Sequence, residues 1–361
     1  MYFVGLDVHQ RTSSICILDQ HGKVVKQQKV RGGWDQLIGQ LEQAPRPMAV
    51  CFEASTGCGW LFDRLKPMAR RIEVAHPGQV RLIFRAKRKN DRVDAFKLAK
   101  LLFLDQVPKA YIPDASVRAW RSTVEFRRRT VQKRTRVKNA LRTLLRGCGV
   151  QAQPVRRSMW TARGVEALRQ IELPDDLDVM RREMLLTELA MLDGQIKQIE
   201  KRLDELAGDH AGVALLRTIP GIGPRTAEAI LAYVDKPDRF RRNKQIGAYF
   251  GLVPCQDASA QSNRLGHITR QGPSTVRGLI VEASWQAIRH SPTIRAQFER
   301  LCQGKKQRRR IALVAIAHHL LRVSLSMLKS GEVWREEEQD MAFPPEGLEG
   351  RTVTAMTAAD G

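Results

Sequence analysis

Four carboxylates in the first hundred residues stand where an acid needs a partner or a metal ion. Asp7 lies near the end of an apolar run, Gly5-Leu6-Asp7-Val8-His9. A strand apolar on both faces is normally buried, and a buried acid is costly unless something compensates it. Glu53 follows another apolar run, Met48–Phe52. Asp91 and Asp94 stand three apart in Asn90-Asp91-Arg92-Val93-Asp94-Ala95-Phe96, which puts both on one face of a helix start. Hard oxygen ligands gathered at one point suit Mg²⁺ or Mn²⁺. A metal pair about 4 Å apart can stabilise both the attacking and the leaving oxygen of a phosphodiester displacement. Taken alone, Asp91 and Asp94 are equally well explained as first-turn acids favoured by the helix dipole. Asp7 has no such plain explanation, and the four positions together favour a metal site.

The elements around these acids must bring them together. Tyr2–Val8, Thr12–Leu18 and Val24–Val30 read as three strands, with turn chemistry at Asp19-Gln20-His21-Gly22. A helix over Trp34–Leu41, a strand over Met48–Phe52, a helix over Trp60–Ala69, a strand over Ile72–Ala75 and a helix from about Asp91 follow. Three meandering strands and then alternating helix and strand is the order of an RNase H-like α/β domain, an order shared with sugar kinases and actin-like folds. In the RNase H-like arrangement the first and fourth strands are neighbours, so Asp7 and Glu53 would lie side by side.

The chain of 361 residues carries 61 Lys plus Arg against 38 Asp plus Glu, a formal net charge of +23. That excess points to a polyanion, because displacing condensed counterions from phosphates drives binding. A basic membrane-surface protein needs an amphipathic anchor or a lipidation signal, and neither is visible. The N-terminus has no basic segment followed by an apolar one, and no run of about 18 apolar residues suggests a membrane span. Six scattered cysteines without a Cys-x-x-Cys pair argue against a zinc ribbon or a disulfide framework and for a reduced, cytoplasmic setting.

Between Lys109 and Arg146 there are twelve Lys or Arg and two acids, in a stretch of good helix formers. Arg127, Arg128, Arg129, Lys133, Arg134, Arg136 and Lys138 are the candidates there for clamping nucleic-acid backbone. A 4-3 repeat follows: Leu185, Leu189, Leu192, Ile196, Ile199, Leu203, Leu206. It predicts a coiled coil or a helical hairpin, with self-association favoured over packing within the chain. Leu216 to Ala227 contains Ile219-Pro220-Gly221-Ile222-Gly223-Pro224-Arg225, the pattern of a helix-hairpin-helix. Its glycines allow a tight turn whose N–H groups hold a phosphate without reading sequence. An ordinary Gly-Pro connection is the plainer alternative, and Arg225 with the net charge favours backbone binding. The run Lys305-Lys306-Gln307-Arg308-Arg309-Arg310 offers further phosphate contacts ahead of an apolar helix, Ile311–Leu321. His318 and His319 are adjacent, point to different faces, and read as structural. The segment 332–360, with eight acids and two arginines, reads as a solvated, disordered tail.

Gly251-Leu252-Val253-Pro254-Cys255-Gln256-Asp257-Ala258-Ser259-Ala260-Gln261-Ser262, and then Gly266 to Gly272 with Arg270, reads as a polar loop between helices. A serine hydroxyl is a poor nucleophile without a base or metal, and no local motif activates Ser259.

Taken in order, Gly5-Leu6-Asp7-Val8-His9, Phe52-Glu53-Ala54-Ser55-Thr56-Gly57, Lys89-Asn90-Asp91-Arg92-Val93-Asp94-Ala95 and the run from Ile219 to Trp285 resemble the DEDD transposases of the one-ten family of bacterial insertion sequences. The resemblance spans roughly residues 3–328. It implies a RuvC-like RNase H-fold catalytic domain (1–110), a basic helical and coiled-coil region (111–208), a mainly α transposase domain with the helix-hairpin-helix and serine loop (209–329), and the tail (330–361). It implies a metal tetrad of Asp7, Glu53, Asp91 and Asp94, and a serine that attacks the DNA phosphate to leave a phosphoserine intermediate. Ser259 matches that serine, with Ser262 as the alternative. The family has paired serines followed by glycine, where this chain reads Ala258-Ser259-Ala260-Gln261. The resemblance further implies donor and target DNA as partners, guidance by a structured bridge RNA, and a homo-oligomer, dimer or tetramer, with no membrane. A RuvC-like junction nuclease that uses water, and a non-catalytic nucleic-acid-binding protein, are the competing readings.

Overall fold

The computed structural model describes residues 1–84, 91–150, 157–208, 210–259 and 262–336. It falls into two units, Met1–Arg118 and Ala119–Gly361.

The first unit is a mixed α/β domain. Its elements are β1 (Tyr2–Val8), β2 (Thr12–Leu18), β3 (Val24–Arg31), α1 (Trp34–Glu42), β4 (Met48–Glu53), α2 (Cys58–Leu65), β5 (Arg71–Ala75), α3 (Pro77–Ile83) and α4 (Asp91–Phe103). The sheet order is β3-β2-β1-β4-β5, with β1 to β3 antiparallel and β4 and β5 parallel to β1. The first and fourth strands are neighbours, as the element order predicts. The β2–β3 turn forms because the Asp19 carboxylate accepts from the N–H groups of His21 (2.8 Å) and Lys23 (2.9 Å) while Gly22 takes φ +76°.

Both faces of the sheet are covered, which accounts for continuous apolar runs in β1 and β4. Val4, Leu6, Val50 and Phe52 pack with Leu37 and Leu41 of α1 and Leu61 and Leu65 of α2. On the opposite face, Ala49 and Cys51 pack with Leu98, Leu101 and Leu102 of α4. Residues two apart along a strand share a face. Asp7 therefore continues the Gly5 face and Glu53 the Cys51 face, both toward α4.

The second unit is mostly helical: α5 (Ala115–Gly147, whose first turn belongs to the first unit), α6 (Ala162–Arg169), α7 (Asp176–Ala207), α8 (Ala211–Leu216), α9 (Pro224–Val234) and α10 (Gln245–Tyr249). A hairpin, β6 (Pro254–Ser259) and β7 (Ser262–Ile268), precedes α11 (Ser274–His290), α12 (Pro292–Cys302) and α13 (Arg309–Ser330). Its main core joins α8, α9, α11, α12 and α13, with Leu216, Ile230, Ile280, Ile316 and Leu320 fully buried.

The leucine repeat of α7 finds its partner within the chain. Leu186, Leu189 and Leu192 pack with Val137, Leu141 and Leu145 of α5. Arg127 pairs with Glu200, its Nε 2.8 Å from Oε1, and Arg134 Nη1 lies 3.1 Å from Asp193. The second pair lies seven residues further along α5 and seven back along α7, so the helices run antiparallel as a hairpin. The self-association expected of this seam yields to intramolecular packing, because α5 presents its own apolar residues at matching spacing. A different stripe of α7 stays bare: Leu177, Met180, Met184 and Met191 are all at least half exposed.

Two further expectations change. The segment from Pro254 is a two-stranded hairpin rather than a loop. Of the segment expected to be a solvated tail, residues 331–336 are attached. The Trp334 N–H donates to Thr218 Oγ1 (3.1 Å), its indole N–H to Glu336 Oε2 (3.0 Å), and Ser291 Oγ to Glu336 Oε1 (2.5 Å). The rest of that segment, 337–361, lies outside the described residues. Among the described residues, Lys306–Ser330 is the one helix long and apolar enough to cross a membrane, and 61% of its most apolar window is buried, as in a core helix.

Candidate active site

Gly5 fixes where the carboxylates meet. A Cβ there would stand 2.1 Å from the Ala95 carbonyl oxygen and 2.4 Å from the Ala99 nitrogen, so α4 crosses β1 in backbone contact. That crossing sets the N-terminal end of α4, with Asp91 and Asp94, against the end of β1, with Asp7. Among the described residues, ligand atoms of Asp7, His9 and Asp91 lie within 4.8 Å of one another. Asp94 is near enough for its charge to act on Asp7. The β1–β4 register pairs Leu6 with Phe52, which makes Asp7 and Glu53 the next residues along two adjacent parallel strands.

The electrostatics suit a cation. Burial pushes the Asp7 carboxyl above its usual range, His9 pulls it back, and the charges of Asp91 and Asp94 push it up again. His9 Nε2 lies 3.3 Å from Asp7 Oδ2. Lys29 Nζ, 2.9 Å from Asp91 Oδ2, holds that carboxyl below its usual range. Lys97 Nζ is 2.7 Å from Asp94 Oδ1. Half-buried oxygens that repel one another, with lysines at two of them, are a donor set that a hard divalent ion fits. Sequence reasoning overlooked His9, Lys29, Lys97 and the role of Gly5. His9 had a signal, since it stands two residues beyond Asp7, just past the end of β1; the lysines had none.

Ser259 is the last residue of β6, in register with Ser262 on β7. Its side chain and that of Ser262 lie outside the described residues. The base of this hairpin is tightly built: a Cβ on Gly251 would stand 2.3 Å from the Gln271 carbonyl oxygen, and one on Gly272 2.0 Å from that of Tyr249. Arg270 sits in that base with φ +55°, exposed.

The basic candidates on α5 divide by face. Arg127 and Arg134 are engaged with acids of α7, Arg128 donates to Ser274 (3.0 Å) and Thr275 (3.1 Å), and Lys138 sits over the Trp160 ring at 4.9 Å. Arg129, Lys133 and Arg136 are exposed at helical spacing on one face. At the α8–α9 turn, Gly221 has φ +84°, and a Cβ would stand 2.5 Å from the Ala287 nitrogen, so this glycine is required for packing on α11. Gly223 caps α9 with open space around it. Arg225 pairs with Asp204 and, at 2.9 Å, with the buried Glu228.

The chain has relatives of known family. A DEDD transposase profile of the IS110 type matches residues 4–149, and that of the Transposase IS116/IS110/IS902 family matches residues 213–299. A probable family 20 transposase of Pseudomonas aeruginosa is 27% identical over 316 residues, covering 87% of this chain and 92% of the relative. The transposase for insertion sequence element IS1111A of Coxiella burnetii is 26% identical, covering 80% and 78%. That of IS1328 of Yersinia enterocolitica is 22% identical, covering 92% and 98%. With matches of this kind along both units, and the carboxylates of the first matched segment gathered at one strand end, the chain belongs to the IS110 family of DEDD transposases, enzymes of insertion sequences that cut and transfer DNA.

Proposed function

We propose that the first unit is an RNase H-like nuclease domain in which Asp7, Glu53, Asp91 and Asp94 hold Mg²⁺ or Mn²⁺ for phosphodiester transfer. The observation that carries this reading is the meeting of Asp7 and Asp91, from a strand end and a helix start, close enough that the charge of Asp91 raises the carboxyl of Asp7. A metal bound there would polarise the phosphate and activate the attacking oxygen. The chain's own part is positional: α4, seated on Gly5, presents two carboxylates to one on β1, and His9 orients Asp7.

In the same reading Ser259 is the nucleophile. A bond from its Oγ to phosphorus forms as one P–O bond of the DNA breaks, and the phosphoserine conserves the energy for rejoining. A serine at the end of a hairpin strand, above a base rigidified by Gly251 and Gly272, supports this role. Donor and target DNA are the substrates, and a structured bridge RNA selects them by pairing. The exposed Arg129, Lys133 and Arg136 provide shape and phosphate contacts of the kind RNA recognition uses. The protein acts as a homo-oligomer, joined through the bare Leu177–Met191 stripe of α7 rather than the buried leucine seam.

A covalent-trapping assay tests this. Protein, element-end RNA, Mg²⁺ and labelled donor and target DNA are mixed, denatured and resolved on a gel. The expected result is a protein-linked DNA band that is lost in Asp7→Asn and in Ser259→Ala and that depends on the RNA. Free cleaved ends with no linked band, unchanged by Ser259→Ala and lost in Asp7→Asn, would establish water as the nucleophile and overturn the serine step.

A further inference from the structure

The second unit carries a cleft that the reaction above does not use. It has a volume of about 490 Å³ and lies among the end of α11, α12 and the start of α13. That volume falls in the roughly 300–1,000 Å³ range of small-ligand sites. Trp285 stands in its wall, 37% exposed, with Phe298 beneath it at a ring-centroid distance of 5.9 Å and an interplanar angle of 64°. Five cations line it, Arg289, Arg295, Lys305, Lys306 and Arg309, against a single carboxylate, Glu299.

Two of these cations have local work. Arg295 donates to the carbonyls of Ile288 (3.1 Å) and Arg289 (2.6 Å) at the end of α11, and Arg309 sits over the Phe298 ring at 5.6 Å. Arg289, Lys305 and Lys306 have no ion pair among the described residues. Unmatched cations around a partly exposed indole call for a ligand that is both anionic and planar. Free phosphate has no use for the indole, and a duplex backbone keeps its bases stacked inside. A nucleotide whose base has left the stack has both features: its ring lies on an aromatic face while its phosphates meet Lys and Arg.

We infer that this cleft is a subsite for one unpaired nucleotide of a single-stranded nucleic acid, its base on Trp285 and its flanking phosphates on Arg289, Lys305 and Lys306. The inference rests on the reading of the chain as a nucleic-acid enzyme but not on its metal site.

The test uses the full chain in EDTA, so that no strand is cut and failure of the metal reading cannot affect the result. Affinities are measured by fluorescence anisotropy for short RNA and DNA single strands of one sequence and for the corresponding DNA duplex. Stacking on one aromatic side chain corresponds to roughly 5- to 150-fold in affinity, so Trp285→Ala should weaken single-strand binding by a factor in that range and leave duplex binding within about twofold. Trp285→Phe should restore most of the loss. The strand that loses more, RNA or DNA, is the one the subsite receives, and equal losses assign it to both. Lys305→Ala with Lys306→Ala changes only exposed side chains and guards against misfolding; it too should weaken the single strand more than the duplex. Equal losses on single strand and duplex, or no loss beyond about twofold in either variant, would overturn the inference.

Discussion

At the scale of single residues, the site is organised by groups that compensate one another. His9 is the nearest partner of Asp7. Groups that orient a metal ligand typically contribute 10- to 100-fold to metal affinity. His9→Ala should therefore raise the Mn²⁺ dissociation constant by about 10-fold or more, as read by calorimetric titration, and an unchanged constant would remove His9 from the site. A second residue predicts a pH dependence of stability. Glu228 on α9 is 1% exposed, and burial raises its carboxyl from 4.5 to about 7, against the pull of Arg225. The folded state thus keeps this proton longer than the unfolded one. The stability contribution is fully present below pH 4.5 and is lost as pH rises through about 7. The loss amounts to up to about 3 kcal/mol, and Glu228→Gln should flatten the profile of denaturant midpoint against pH over that interval. Asp7 was legible in the sequence because an acid inside an apolar strand needs a reason. Glu228 was not, because its burial arises from the packing of distant helices that no local pattern encodes.

At the scale of elements, strands announce themselves through apolar runs and turn residues, and β1 and β2 have the bounds that the sequence suggests. The backbone contact between β1 and α4 is a property of a pair of elements, and Gly5 reads as one more small residue until α4 is laid across it. Gly5→Ala should destabilise the first unit by about 3 kcal/mol or more, since the atoms in the way are backbone and cannot rotate aside. Chemical denaturation of the variant checks this, and a change below about 1 kcal/mol would mean that α4 can shift at little cost. The leucine repeat of α7 shows the opposite limit. Its periodicity gave the helix and its buried face but not the partner, because α5 and a second copy of the chain offer the same apolar spacing to the seam. The basic stretch behaves likewise: which of its cations are matched was set by Asp193 and Glu200, some sixty to seventy residues away. The hairpin carrying Ser259 was missed because its strands are polar, with no buried face to impose alternation.

At the scale of the whole molecule, two predictions concern what the chain joins and what it can lose. Met184→Glu with Met191→Glu places charges on the bare stripe of α7. If the chain self-associates through that stripe as proposed, the variant should run as a smaller species by light scattering with helicity unchanged, and an unaltered mass would overturn that contact. Truncation after Ser330 removes Trp334 and Glu336, and should lower the midpoint by several degrees, on the order of 1–2 kcal/mol of lost hydrogen bonds and burial. The antiparallel pairing of α5 and α7 has a further consequence. A helix of 33 residues is a rod about 50 Å long. The Arg127–Glu200 and Arg134–Asp193 pairs stand seven residues apart on both helices, about 10 Å along the rod. An insertion in α5 between these two pairs therefore keeps both only if α7 gains the same length between Asp193 and Glu200.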